Sequence, residues 1–266
     1  MSDRVLPAAL QAILPNETQE AWRRIAPVLP ETAYLVGGTA VAVHLGHRPS
    51  RDLDFFTTTP FDPEALRAAL SKVGDFEPTL LQPGTLNGLF EGAKIQVLDA
   101  HQQTVLGPPM VVAGIRIAGM RDLLATKVKV IGDRGELRDY FDLMTIEERT
   151  SLRFEDGLRF YLARYHPRVP ESAVSHILRA LGSFGDVADD PSLPLPRARI
   201  EQYWRHRQPQ VVAAVDALLE APDAAPAESA PAAPASPGEF RGGEVVVREH
   251  QRRGRTVREH TRRRPS

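Results

Sequence analysis

Residues 33–56 read AYLVGGTAVAVHLGHRPSRDLDFF. The four residues before the glycine pair predict a short buried strand, and the Ala- and Val-rich segment 39–45 predicts a helix. A glycine turn between them lets the backbone point its amides at an anion, and the helix N-terminus adds about half a positive charge there. Gly37, Gly38 and Thr39 are therefore a candidate phosphate cradle, although most Gly-Gly turns before helices are only tight connections.

A pair of carboxylates follows the glycine turn. Asp52-Leu53-Asp54 begins fourteen residues after Gly38 and opens a predicted strand at 53–57. Because side chains alternate along a strand, Asp52 and Asp54 share one face while Leu53 enters the core. Two neighbouring carboxylates repel each other unless a cation lies between them, and a hard divalent cation is the natural partner. The spacing favours a metal site beside the cradle over a solvated strand end.

The hydrophobic periodicity changes halfway along the chain. Before residue 118 it predicts helices at 18–29, with Asn16 as N-cap, and at 63–73, with Asp62 as N-cap, and further strands at 78–81, 86–90, 94–98 and 111–117. After that point it predicts only helices, at 120–131, 136–147, 154–164, 171–181 and 198–219. We therefore expect an α+β fold, with a mixed α/β domain at 1–118 and a helical domain at 119–220.

The C-terminal part has a different composition. Residues 221–238 contain eight Ala and five Pro, which predicts a disordered linker. Residues 239–266 carry nine Arg against four Glu and repeat Val-Arg-Glu-His with an offset of ten. Two short strands around Gly254 are compatible with this basic tail, but a segment so polar cannot form a core alone. It is either a solvated appendage or a tether for nucleic acid.

The overall composition excludes several classes of protein. The chain has 266 residues, 42% of them hydrophobic, a formal net charge of −1 and no Cys. A largely disordered chain, a disulfide framework, a thiolate metal site and a Cys nucleophile are thereby excluded. No apolar run approaches the roughly 18 residues of a membrane span, and residues 1–15 lack the pattern of a secretory signal. We expect a soluble cytoplasmic protein.

Two motifs together resemble those of the AbiEii-type nucleotidyltransferase toxins, a branch of the superfamily with the polymerase β palm. The first comprises Gly37-Gly38-Thr39-Ala40 and the run from His47 to Phe56. The second lies in the helical part and comprises Lys127, Arg134, Arg138, Asp139 and Asp142. The resemblance covers residues 34–143 and reaches neither the linker nor the basic tail. It implies a polymerase β-like palm, a mixed sheet with helices, followed by the helical domain and the disordered tail.

The resemblance also implies a metal site and its ligands. Asp52, Asp54 and a third carboxylate on a neighbouring strand would hold Mg²⁺ or Mn²⁺, in a two-metal arrangement. Asp99 is the candidate for the third carboxylate, although it could equally cap a turn before His101.

Other residues are assigned to the nucleotide and to catalysis by the same resemblance. Gly37, Gly38, Thr39, Lys127 and Arg134 would bind the triphosphate, with Thr39 standing where many members of the superfamily have Ser. Lys127 and Asp139 would be catalytic together with the three carboxylates. Without the resemblance, the helix at 136–147 is typical of a salt-bridged surface, with Arg138 paired to Asp142 at i, i+4.

The implied activity is Mg²⁺-dependent transfer of a nucleoside monophosphate from an NTP to an acceptor hydroxyl. For a toxin of a toxin–antitoxin system the acceptor would be RNA, such as the end of a tRNA, and an antitoxin protein would be a further partner. Two alternatives stay open: a non-catalytic module that binds nucleotide or RNA, and an enzyme that nucleotidylates a protein. A cleft with Asp99 and Lys127 across from Asp52 and Asp54 would favour the enzyme, whereas an Asp99 that points away would favour the binding module.

Overall fold

The architecture was obtained from a computed structural model of the chain. It describes residues 5–220 and the residue pairs 245–246, 251–252, 255–256 and 261–262. The predicted linker at 221–238 and most of the predicted basic tail lie outside the described residues.

Residues 5–118 contain both helices and strands, and residues 119–220 contain helices alone. The helices are α1 (Ala8–Gln11), α2 (Asn16–Ile25), α3 (Gly37–Leu45), α4 (Pro63–Val73), α5 (Met120–Arg134), α6 (Leu137–Arg149), α7 (Phe154–Tyr165), α8 (Pro170–Leu181) and α9 (Arg197–Glu220). The strands up to residue 220 are β1 (Ala33–Val36), β2 (Leu53–Thr57), β3 (Phe76–Gln82), β4 (Thr85–Phe90), β5 (Ala93–Asp99), β6 (Met110–Val112) and β7 (Ile115–Ile117).

The seven strands form one mixed sheet in the order β3-β4-β5-β2-β1-β7-β6. Strand β2 lies in the middle, antiparallel to β1 and parallel to β5. Its register places Asp54 opposite Val36 of β1 and opposite Gln96 of β5. The carboxylate pair thus lies at the start of a central strand, directly beside the strand that leads into the glycine turn.

One face of the sheet is sealed by apolar side chains. Leu53 and Phe55 of β2 and Ile95 and Val97 of β5 are fully buried, and they belong to a core that includes Trp22 of α2. This alternation assigns the odd-numbered positions of β2 to the core and leaves Asp54 on the other face. Burial of the odd positions is what fixes the register and hence the direction of the carboxylates.

The sheet and the helices are parts of one compact unit. Residues 5–220 fall within a single unit, and the change from mixed to purely helical structure occurs inside it, between β7 and α5. Arg164 of α7 joins the two halves, because its guanidinium donates to the hydroxyl of Tyr34 in β1 at 2.8 Å and pairs with Asp122 of α5. All three side chains are buried, so the sheet and helices share one interior.

The periodicity predicted the regular elements well. Strands β1 and β2 and helix α4 have the predicted bounds, and the Asp62 side chain accepts hydrogen bonds from the backbone N–H groups of Glu64 and Ala65. The predicted strand at 111–117 is instead the hairpin of β6 and β7, because Ala113 and Gly114 adopt positive φ angles of 46° and 84° and reverse the chain. Asn16 lies inside α2, and Pro15 is its N-cap residue.

The described pairs near the C-terminus form short strands. They are β8 (Val245–Val246), β9 (Gln251–Arg252), β10 (Arg255–Thr256) and β11 (Thr261–Arg262). Strand β9 pairs with β10, and β8 pairs with β11, both in antiparallel orientation. The sequence allowed two short strands around Gly254, which itself lies outside the described residues. These strands belong to a second unit, residues 225–266.

Length and hydropathy of the helices bear on membrane insertion. Within the described parts of the chain, every helix is too short or too polar to span a lipid bilayer.

Replacing Tyr34 by Phe tests the bond that joins the two halves. Tyr34→Phe leaves Arg164 without one acceptor in the interior, and we expect the free energy of unfolding to fall by about 1.5–3 kcal/mol, the range for hydrogen bonds to charged groups. Urea denaturation measures this change. The matched control is Tyr165→Phe, whose hydroxyl donates to the neutral Thr126 hydroxyl at 3.2 Å and should cost about 1 kcal/mol. Equal losses would contradict a special role for the Arg164 bond.

Candidate active site

A cleft of about 420 Å³ lies where the glycine turn, the loop before β2 and helices α5 and α6 meet. Almost all residues that the sequence assigned to the site line this cleft: Gly37, Gly38, Thr39, Asp52, Asp54, Lys127, Arg134 and Asp139. Asp99 does not line it. The fold therefore brings the two motifs together although more than seventy residues separate them in sequence.

Gly37 is required at its position for two reasons. Its φ is +70°, in the left-handed region that glycine tolerates without strain. In addition, a β-carbon there would lie 2.7 Å from Oδ2 of Asp54. The bare backbone of the turn is thus in direct contact with the second carboxylate of the pair, and the cradle and the carboxylates form one site.

Gly38 makes room for a different neighbour. A β-carbon on Gly38 would collide with Nη2 of Arg48 and would lie 3.6 Å from Oδ2 of Asp142. The absence of a side chain at Gly38 therefore allows the backbone of the turn to pack against the buried Arg48 side chain. Its small size serves packing beneath the cradle, and not only the approach of a phosphate from the cleft.

Asp142 is the centre of a buried network of charges. Arg48 donates to it through Nε and Nη2 at 2.6 and 2.8 Å, and the Lys127 ammonium lies 2.6 Å from its Oδ2. The Nε2 atom of His47 lies 2.7 Å from its Oδ1. Lys127 also donates to Asp139 at 2.7 Å. Two carboxylates and two cations balance each other, as a buried charge requires.

The network holds Asp142 and Lys127 in their charged forms. Burial alone would raise the pKa of Asp142, but the charge of Lys127 and the hydrogen bonds from His47 and Arg48 hold this pKa well below its usual range. Burial alone would lower the pKa of Lys127, yet Asp139 and Asp142 raise it above its ordinary value. Lys127 in the wall of the cleft and Asp142 behind it are consequently both charged at neutral pH.

Asp52 and Asp54 have a different environment. Burial and the neighbouring charge of Asp52 raise the pKa of Asp54, and among residues 5–220 no side chain forms a hydrogen bond or ion pair with Asp54. Asp52 has a distant cation, since Nη1 of Arg138 lies 3.9 Å from its Oδ2. A pair of uncompensated carboxylates on a cleft wall is the donor set that a hard divalent cation requires, so the residues present fit Mg²⁺ or Mn²⁺.

Thr39 has partners other than the expected phosphate. Its side chain is buried, and its hydroxyl is bonded to the Ser50 hydroxyl and donates to the backbone carbonyl of Asp52. Thr39 therefore fastens the loop before β2 to the start of α3. The prediction that its hydroxyl binds the triphosphate is corrected accordingly, because that hydroxyl is already engaged within the protein.

Asp99 lies away from the other carboxylates. It pairs with Thr57 at the far end of β2, on the core side of the alternation, and it lines two other pockets. Its carboxylate accepts a hydrogen bond from the backbone N–H of His101, the turn that the sequence offered as the alternative. The prediction of Asp99 as a third metal ligand is therefore not met, and the described residues contain no group of three or more His, Asp or Glu side chains suited to a metal ion.

The remaining motif residues differ in exposure. Asp139 is buried, and its Oδ2 accepts a hydrogen bond from the backbone N–H of Glu136. Glu136 is the N-cap residue of α6. Arg134 ends α5 and is 78% exposed on the rim. Arg138 pairs with Glu136 at 2.6 Å. The predicted pair of Arg138 with Asp142 is wrong, because Asp142 points inward to Lys127 and Arg48.

Sequence reasoning missed Arg48 and His47 as partners of the site. Both lie in the quoted run before Asp52, but they were given no role there. The available signal was Gly46, a residue type that often ends a helix, followed at once by His47-Arg48-Pro49; in the structure Gly46 is the C-cap of α3, with a φ of +58°. Ninety-four residues separate Arg48 from Asp142, and such a pair cannot be read from spacing.

Comparison with known proteins adds independent information. Residues 21–80 match the family model described as "Nucleotidyl transferase AbiEii toxin, Type IV TA system". The chain is 31% identical over 195 residues to the uncharacterized protein aq_aa25 of Aquifex aeolicus (strain VF5), a match that covers 72% of this chain and 90% of that protein.

The matches to solved structures are weaker. A proposed nucleotidyltransferase from H. pylori is 17% identical with a TM-score of 0.49, covering 76% of this chain and 96% of the other. The nucleotidyltransferase toxin MenT4 from Mycobacterium tuberculosis H37Rv is 14% identical with a TM-score of 0.39, covering 79% of this chain and 96% of the other. The relationship therefore rests on the sequence matches.

Removing the charge at the centre of the network should be costly. Asp142→Asn leaves Lys127 and Arg48 buried with one carboxylate between them, and we expect a loss of about 3–5 kcal/mol in the free energy of unfolding. Because the pKa of Asp142 is lowered on folding, its contribution is complete above the unfolded-state pKa of about 3.9 and is lost as the pH falls further. Denaturation between pH 2 and 7 should therefore show a shallower acid limb for the variant. An identical acid limb would contradict the network.

The two left-handed glycines of this segment provide a matched pair of variants. Gly37→Ala and Gly46→Ala both place a side chain at positive φ, and each should lower stability by about 1 kcal/mol or more. Only Gly37→Ala also pushes against Asp54, since nothing lies within 4 Å of a β-carbon at Gly46. Calorimetric titration with Mn²⁺ should show weakened binding for Gly37→Ala alone. Equal Mn²⁺ affinities would mean that the turn and the carboxylates are independent.

Proposed function

This chain belongs to the AbiEii nucleotidyltransferase family, and on that premise we propose that it transfers a nucleoside monophosphate from an NTP to an acceptor hydroxyl. The observation that carries the proposal is the contact of the Gly37 backbone with Asp54 in one cleft. A phosphate cradle and a metal-binding carboxylate pair in contact would place a triphosphate and its cation together, which is the positioning that phosphoryl transfer requires.

The nucleotide would bind by its phosphates along the glycine turn. Backbone N–H groups at the start of α3 supply donors and the positive end of the helix dipole. Arg134 and Arg138 lie on the rim, where their partly exposed guanidinium groups can turn towards a triphosphate. Lys127 forms part of the wall, and its position is fixed by Asp139 and Asp142. We assign Lys127 to orienting the phosphates and Asp139 to orienting Lys127.

Asp52 and Asp54 would hold Mg²⁺ or Mn²⁺. The bound ion would neutralise charge on the triphosphate and on the departing pyrophosphate. Both carboxylates are fixed by their strand, since Leu53 between them is fully buried and the Thr39 hydroxyl holds the Asp52 carbonyl. Their preorganisation by the core means that little rearrangement is needed when the ion binds.

The reaction is a single displacement at the α-phosphorus. The acceptor oxygen forms a bond to the α-phosphorus. The bond between the α-phosphorus and the oxygen that bridges to the β-phosphate breaks. Pyrophosphate leaves with the bonding electrons, and the hydroxyl proton passes to solvent water. The protein contributes orientation and charge neutralisation, with no covalent intermediate.

The family supports a specific biological setting for this activity. We propose that the chain is the toxin of a toxin–antitoxin pair, that the acceptor is RNA such as a tRNA end, that an antitoxin protein controls it and that it acts in the cytoplasm. The support is the match to a family of type IV toxins. A protein hydroxyl would satisfy the same displacement, and the acceptor is therefore an outcome of the test below.

One observation favours a second candidate function. Asp99 lies outside the cleft, which was the feature expected of a non-catalytic module that binds nucleotide or RNA. Lys127, however, lines the same cleft as Asp52 and Asp54, as the enzyme requires. Within residues 5–220 the carboxylate pair has Arg138, 3.9 Å from Asp52, as its sole ion-pair partner, and this distant contact does not explain two carboxylates in a binding module. We therefore take the enzyme as the stronger candidate.

Replacing either carboxylate separates the two candidates. Asp52→Asn and Asp54→Asn keep the side-chain volume and remove one metal-binding charge, and we expect transfer to fall by about 100-fold or more. The purified protein is incubated with each of the four α-labelled NTPs, Mg²⁺, total cellular RNA and total cellular protein, and the labelled product is identified. Asp75→Asn, at an exposed position, is the control.

The outcomes of this experiment are distinct. Label on RNA supports the proposal, and label on protein supports the protein-modifying alternative. Binding of NTP without transfer to either would identify a binding module. Variants that stay folded by circular dichroism and retain wild-type turnover would overturn the role of the carboxylate pair.

A further inference from the structure

The strand beside the carboxylates carries an amide and an ammonium group. Strand β5 runs parallel to β2, and its register places Gln96 opposite Asp54. Lys94, two residues earlier, lies on the same face of the sheet because side chains alternate along a strand. Gln96 is half-buried and Lys94 is exposed, whereas Ile95 and Val97 between and after them are in the core.

A third carboxylate is missing from this place. The two-metal arrangement expected from the sequence needs a carboxylate on the strand next to Asp54, and the register gives that place to Gln96. Asp99 lies three residues further along β5, where alternation turns it to the opposite face. Two carboxylates balance the charge of one divalent cation. On the acceptor side, away from the triphosphate, a second divalent cation would have no carboxylate of β5 as a ligand, and it would lie next to the positive charge of Lys94.

The position of Lys94 is also opposite to that of the other cations. Lys127 and Arg134 lie on the helical wall of the cleft, on the side of the glycine turn. Lys94 lies on the far side of Asp54 from β1, because the sheet order is β5-β2-β1. Lys94 directly precedes Ile95, the register partner of Leu53, and therefore lies level with Asp52, just outside the cleft. Its flexible side chain can reach the carboxylate pair from that side.

We propose that Lys94 supplies, on the acceptor side of Asp54, the positive charge that a second divalent cation would otherwise supply, so that the site works with a single cation. This inference rests on the proposed nucleotidyl transfer. The Lys94 ammonium donates a hydrogen bond to the acceptor oxygen and stabilises the negative charge that develops there as the oxygen bonds to the α-phosphorus. The hydroxyl proton leaves to solvent water, the bond to the β-phosphate oxygen breaks, and pyrophosphate departs.

The number of bound ions tests the first part of the proposal. Mn²⁺ is titrated into the full chain with each of the four α,β-methylene nucleoside triphosphates, and bound Mn²⁺ is counted by electron paramagnetic resonance. We expect one ion per bound nucleotide in the wild-type protein and a second ion in Gln96→Asp, which places a carboxylate opposite Asp54. Two ions in the wild-type protein would overturn the proposal, whatever the activity.

Variants at position 94 test the second part. Lys94→Ala should lower kcat for transfer about 100-fold, the usual loss on removing one donor to a developing oxyanion, without changing the affinity for the Mn²⁺ complex of the nucleotide analogue. Lys94→Arg should restore part of kcat because it keeps the charge. Lys72→Ala, at an exposed position of α4, is the matched control.

Each result has a separate meaning. An unchanged kcat for Lys94→Ala, or an equal loss of nucleotide affinity, would contradict a role on the acceptor side. Absence of transfer by the wild-type protein with every NTP would instead mean that the proposed function has failed. The count of Mn²⁺ ions distinguishes these cases because it requires no turnover.

Discussion

The buried carboxylate of Asp142 must be paired wherever it lies, and this requirement organises the candidate site. Its partners come from distant parts of the chain: Arg48 from the loop after α3 and Lys127 from α5. Because an unpaired charge in the interior is costly, neither segment can move without leaving a carboxylate or a cation alone. Gly38 packs directly against Arg48. Because the network fixes Arg48, it also restricts the movement of the glycine turn.

The network also divides the charges of the cleft into two kinds. The charges of Lys127 and Arg48 are balanced by those of Asp139 and Asp142. These four residues therefore mainly fix the positions of the segments that surround the cleft. Asp52 and Asp54 lack such partners within residues 5–220, apart from Arg138 at 3.9 Å, and contribute uncompensated charge. A ligand that brings both a divalent cation and phosphate groups would complete the balance on the cleft side without disturbing the interior, as expected for a site that binds and releases nucleotides.

The sequence was informative where a single local pattern decides the structure. Strands β1 and β2 and helix α4 follow from apolar runs and from Asp62 as a cap, and their predicted bounds agree with the structure. The sequence was uninformative where a side chain can pair either with a neighbour on its own helix or with residues from distant segments. Spacing alone pairs Arg138 with Asp142, but the competing partners of Asp142 come from α5 and from the loop at 47–48, and tertiary packing decides between them.

Asp99 failed as a metal ligand for a different physical reason. Its strand was predicted correctly, but a carboxylate on a neighbouring strand reaches Asp54 only if the pairing register and the face both agree. A shift of one residue moves a side chain to the other face, and sequence does not specify the register of two parallel strands that are far apart in the chain. The structure supplies that register and assigns Gln96 to the place beside Asp54, with Lys94 two residues before it on the same face. The residue types of the glycine turn and of Asp52 and Asp54 thus predict one side of the site from sequence. The residues on the other side of Asp54 depend on the register between β2 and β5, which the sequence does not specify.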